Sequence, residues 1–105
     1  MKTVINLSPT PNQAVAANLT TADGNIHTLE ITLRTMPDGF LIANLSIDQE
    51  PVFYGRRCVN LMPLMLAGPI SGNFYFMDKY GNTDPDFREL GDRYLFVYDD
   101  EYRLN

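Results

Sequence analysis

Hydrophobic and polar residues alternate along much of this chain. In HTLEITLR, Leu29, Ile31 and Leu33 fall on one side, while Thr28, Glu30, Thr32 and Arg34 fall on the other. A period of two with Thr and Ile predicts a half-buried strand. Turn chemistry brackets it: ADGN (Ala22 to Asn25) precedes it and MPDG (Met36 to Gly39) follows. Proline presets φ and Asp-Gly tolerates a tight corner. FLIANLSI (Phe40 to Ile47) reads as the next strand, and DQEP (Asp48 to Pro51) turns the chain into VFYGRRCV. Residues 26–59 are therefore expected to form a three-stranded antiparallel meander.

The same reading gives strands at TVINL (Thr3 to Leu7) and QAVAANLT (Gln13 to Thr20), separated by a break at Pro9 and Pro11. Two late strands follow, GNFYFMD (Gly72 to Asp78) and RYLFVYD (Arg93 to Asp99). YLFVY is apolar on both faces, which predicts a central position. DDE (Asp99 to Glu101) after it is a charged stop against edge aggregation. No long stretch has helical period. The expected fold is all-β, a small single-domain β-barrel or sandwich of about seven short antiparallel strands with one short helical turn.

Composition fits one domain spanning residues 1–105. At 105 residues, 45% hydrophobic and 20% charged, the chain has the makeup of a globular domain. Nine of the twelve aromatics lie at or after Phe74, so the C-terminal strands are expected to fill most of the core. No run reaches the roughly 20 apolar residues of a membrane span. The first residues lack a signal-peptide apolar segment, which suits a cytosol or a particle assembled in one. The net charge of −5 and a single basic pair, Arg56-Arg57, argue against binding nucleic acid by phosphate neutralisation. The lone Cys58 makes an intrachain disulfide impossible, and it reads as a small core residue.

The densest chemistry lies in DKYGNTDPDFRE (Asp78 to Glu89). Asp78, Tyr80, Asn82, Asp84, Asp86 and Glu89 fall at the ligand positions of a twelve-residue calcium loop. Thr83 stands where that loop needs glycine, and the flanks read as strands, so a metal site is not expected. Paired carboxylates can hydrolyse glycosides, but nothing here sets one acid buried against one solvated. The lone His27 has no recognisable nucleophile or zinc partners. No catalytic, cofactor or metal residue is assigned, and no cofactor is expected. The segment reads instead as a structural turn made by Asp78, Gly81, Asp84, Pro85, Gly91 and Arg93. Asp84 is expected to cap a helical turn with Pro85 at its first position, and Gly91 to end it with positive φ. Arg93 is expected to return to Asp84 or Asp78.

These residues carry a resemblance. The pattern F-x-D-x-x-G-x-x-D-P-x-x-x-x-L-G-x-R-x-x-x-x-Y runs through Phe76, Asp78, Gly81, Asp84, Pro85, Leu90, Gly91, Arg93 and Tyr98. Upstream, Glu50, Pro51, Val52, Gly55, Arg57, Pro63 and Leu64 continue it, and INLSPTPNQ (Ile5 to Gln13) matches its opening. Together they resemble the small baseplate proteins of contractile-tailed bacteriophages, of the cyanophage baseplate plug type. Gln49 replaces a turn glycine of that family, and Tyr94 a frequent Trp.

The resemblance implies a structural, non-enzymatic virion component assembled in the host cytoplasm. It would pack among copies of itself and hub and tail-tube proteins near the tail tip, with no nucleic acid or membrane partner. The alternative is a module binding carbohydrate or a host surface through Tyr75, Tyr80, Tyr102, Asn73 and Asn82. The expected contact surface is the broken apolar run NLMPLMLAGPI (Asn60 to Ile70), through Met62, Leu64, Met65 and Leu66. The SPTPNQ arm is a second candidate.

Overall fold

The computed structural model describes residues 2–66 and 68–102. Its seven strands are β1 (Lys2–Ile5), β2 (Asn12–Thr20), β3 (Ile26–Thr35), β4 (Leu41–Ile47), β5 (Glu50–Arg57), β6 (Asn73–Asp78) and β7 (Tyr94–Asp99), with one 3-10 turn at Phe87–Glu89. They form two antiparallel sheets, β2-β3-β4-β5 and β1-β7-β6. The sheets stay separate, so of the two expected architectures the sandwich is the one adopted.

Alternation sets the first sheet. Leu29, Ile31 and Leu33 of β3 and Leu41, Ala43, Leu45 and Ile47 of β4 are all buried, and the residues between them are less so. The predicted meander is present as β3-β4-β5, and β2 joins it through a hairpin with nine consecutive pairs, Asn12↔Arg34 to Thr20↔Ile26. The β4–β5 corner has two residues at positive φ, Asp48 (52°) and Gln49 (70°), as a type I′ turn requires. Glycine would adopt the conformation of position 49 without strain. Asp48 offsets the strain by accepting from the Thr28 backbone N–H at 2.9 Å and pairing with His27 Nδ1 at 2.6 Å. That partnership, the His27 bond first, holds the Asp48 carboxyl below its usual range.

The second sheet is built around β7. Phe96 and Tyr98 face the core, Val97 is buried on the other side, and the strand sits between β1 and β6. Phe74 stacks with Phe96 at 5.8 Å between centroids, and Phe76 lies 4.8 Å from Phe96. These rings and the aliphatic residues of β3 and β4 form one core cluster. Cys58 is fully buried in it, and burial pushes its thiol up to about 12.

Candidate functional site

The acidic segment connects β6 to β7. Asp78 ends β6 with its side chain fully enclosed, and its carboxylate is saturated. Oδ1 accepts from Tyr80 N at 2.9 Å and Arg93 Nε at 2.8 Å. Oδ2 accepts from Thr83 N at 3.0 Å, Thr83 Oγ1 at 2.8 Å and Arg93 Nη2 at 3.0 Å. The Arg93 guanidinium, helped by the Thr83 and Tyr80 donors and opposed by burial, holds the Asp78 carboxyl well below the ordinary range. The same pairing raises Arg93. Thr83 Oγ1 also lies 2.8 Å from the Tyr94 hydroxyl.

The other acids of the segment also meet donors of the chain. Asp84 Oδ1 accepts from Asn60 N at 3.0 Å, Asp86 pairs with Arg88 at 2.9 Å, and Glu89 lies 3.8 Å from Arg93. Asp84 and Asp86 thus turn to donors of their own, while Asp78 and Glu89 share Arg93. The segment spends its carboxylates on contacts within the chain. It is a bend held by hydrogen bonds.

Two features of the expected turn are corrected. Asp84 does not cap the helical turn; Asp86 does, accepting from Arg88 N at 3.0 Å. Asp84 lies too far upstream of Phe87–Glu89, and its carboxylate instead anchors the loop at Asn60. Pro85 is buried ahead of the turn rather than at its first position. Arg93 reaches Asp78 rather than Asp84, and Gly81 leaves room for that pair, since a Cβ there would meet Asp78 Oδ2 at 3.3 Å. Gly91 has φ +84°, and a Cβ on it would lie 2.5 Å from the Leu7 carbonyl oxygen.

The loop from Asn60 to Ile70 divides the expected contact residues. Leu64 (1% exposed) and Met65 (3%) are core residues, so they are withdrawn from the contact surface. Met62 (48%) and Leu66 (67%) are exposed, and Leu61 (53%), at positive φ, joins them. Ala67 lies outside the described residues. The division follows from backbone pairing. Leu61 N and Leu64 N donate to the carbonyls of Phe76 and Phe74 at 2.8 and 2.9 Å, laying the loop along β6.

Asn73 holds the next residue. Its Oδ1 accepts from Met65 N at 2.9 Å and its Nδ2 donates to Met65 O at 2.7 Å, so an amide side chain stands in for a strand neighbour. The alternative reading of the sequence counts Asn73 in a carbohydrate-binding surface. An Asn beginning an apolar strand after a Gly/Pro-rich loop was the only signal of this other role.

The sugar-binding group is not assembled. Asn73 is 1% and Tyr75 6% exposed, and Tyr75 packs on Tyr102 at 5.9 Å between centroids. Tyr80 is exposed beside Lys79. The SPTPNQ arm is exposed from Ser8 to Asn12 and folded back on itself through the half-buried Gln13, which bonds both the N–H and the carbonyl of Ser8. A shallow hollow of about 270 Å³ lies on the outer face of the four-stranded sheet, between Ala14, Ala16, Glu30, Thr32, Asn44 and Tyr54. No helix among the described residues is long and apolar enough to cross a membrane.

Comparison with known proteins completes the picture. The family model described as cyanophage baseplate Pam3 plug gp18 matches residues 1–101. No curated protein matches the chain.

Proposed function

The chain belongs to the cyanophage baseplate plug family and is a structural component of a phage baseplate, and from that premise we propose how it serves there. It acts as one β domain that packs among hub and tail-tube proteins near the tail tip, beside further copies of itself. It joins the virion after assembly in the host cytoplasm, and it contacts neither nucleic acid nor membrane. It turns over no substrate. The observation that carries this reading is the family match over residues 1–101, read with a connector whose carboxylates are spent on the fold.

The exposed apolar side chains of the Asn60 to Ile70 loop support the packing part of this reading. Leu61, Met62 and Leu66 lie on one loop that hydrogen bonds to Asn73 and the β6 carbonyls anchor, and apolar side chains presented on an anchored loop suit protein contact. The test is incorporation into tails. Met62→Glu and Leu66→Glu should fold as the parent does and enter particles poorly. Normal incorporation of both would remove the loop from the interface.

A further inference from the structure

Sheet edges offer unpaired backbone groups, and proteins usually shorten, bend, charge or cover them. Among the described residues, three of the four edges are managed in this way. β1 has four residues. β5 carries Pro51, Gly55 at φ +63°, the Arg56-Arg57 pair and shifts of register against β4. β6 is overlaid by the loop through Leu61 and Leu64. The edge of β2 has none of these features. It runs nine residues, NQAVAANLT, in unbroken register, without charge or proline.

The ladder fixes which groups face outward. At the mouth of the hairpin, Thr21 N donates to Asn25 O at 2.9 Å. Bonded pairs alternate along an antiparallel ladder, so Leu19, Ala17, Val15 and Gln13 bond β3. On the far side of β3, Asp48 N donates to Thr28 O at 2.8 Å, which agrees in phase. Ala14, Ala16 and Asn18 therefore turn their N–H and C=O groups away from the sheet. Among the described residues, no other segment meets them. The side chains are equally incomplete at this margin. Val15 and Ala17 pack on the core yet are only half-buried, and Ala14 and Ala16 border the hollow beneath Tyr54.

We propose that the β2 edge binds an extended, uncharged strand of a different baseplate subunit; this rests on the reading that the chain sits among baseplate proteins. Main-chain hydrogen bonds from Ala14, Ala16 and Asn18 supply the affinity. Ala14 and Ala16 leave room for large partner side chains on the outer face, and Val15 and Ala17 select apolar or β-branched ones on the inner face. A second copy of this chain fits less well. Each copy carries a net charge of −5. Pairing β2 with itself about Ala16 would set Ala16 against Ala16, Val15 against Ala17 and Ala14 against Asn18, mostly small side chains with little contact to offset that repulsion.

Hydrogen exchange on purified tails, compared with the free chain, tests this. In the free chain the outward amides of residues 12–20 exchange quickly. In tails they should slow by roughly tenfold or more. Ala16→Pro removes only an outward N–H, so that variant should fold and fail to enter tails. The parent's exchange decides the matter whether or not the variant folds. A chain present in tails with unprotected β2 amides overturns the edge and leaves the baseplate role standing. A chain absent from tails overturns both. A free chain that dimerises with these amides protected makes a second copy the occupant and overturns the heterologous strand.

Discussion

Arg93 grips Asp78 through two parallel hydrogen bonds, Nε to Oδ1 at 2.8 Å and Nη2 to Oδ2 at 3.0 Å. The pair ties the last residue of β6 to the residue before β7. Lys79 N reinforces it by donating to Arg93 O at 2.8 Å. The acidic character of the connector thus serves geometry. Its most buried carboxylate is the one that sets the bend between two strands supplying much of the aromatic core.

Stability should follow this carboxylate at acid pH. The folded Asp78 carboxyl titrates below its unfolded value of about 3.9. Below that value the unfolded chain binds more protons, so the contribution is full above about pH 4 and is lost as pH falls toward the folded value. Urea unfolding from pH 7 to pH 2 should show Asp78→Asn less stable than the parent at pH 7, with the gap closing in acid. Arg93→Lys should also destabilise, because an ammonium cannot reproduce the two-pronged contact. Equal stability of Asp78→Asn and parent at pH 7 would show that the pair does not hold the bend.

Gly91 and Gly24 separate two costs. Both have positive φ, +84° and +86°, but only at Gly91 would a Cβ strike backbone, the Leu7 carbonyl oxygen at 2.5 Å. Gly24→Ala should cost about 1 kcal/mol from conformation alone. Gly91→Ala should cost more, about 2–4 kcal/mol, because Leu7 must move as well. Equal unfolding midpoints for the two variants would mean that the Gly91–Leu7 approach is not as close as described.

How much of this was legible follows from which forces are local. The strands of residues 26–59 and the central place of β7 could be read because period-two burial and turn residues are written in consecutive positions. The Gly91 conformation could be read because a glycine after a short helical turn is a local signal. The cap was misplaced because Asp84 and Asp86 are equivalent in sequence, and only the distant Asn60 N–H, 24 residues away, claims Asp84. Leu64 and Met65 looked like surface because prolines and glycine interrupt their run. Their burial depends on the carbonyls of β6 and the side chain of Asn73, which no local pattern reveals.

Asn73 supplies a third prediction. Asn73→Ala removes both bonds to Met65 and leaves a buried N–H and C=O without partners, at about 1–3 kcal/mol for each group. Limited proteolysis should then cut between residues 60 and 70 before the rest of the chain unfolds. A variant with parental stability and an uncut loop would show that Met65 finds other partners.

The central claim is that this fold is a building block of a tail. Cryo-microscopy of intact particles carrying the gene tests it most directly. The account expects density for the two-sheet sandwich within the baseplate, with the Asn60 to Ile70 loop and the β2 edge against neighbouring subunits. Particles with a complete baseplate and no density for this chain, while it remains a free folded monomer in the lysate, would contradict it.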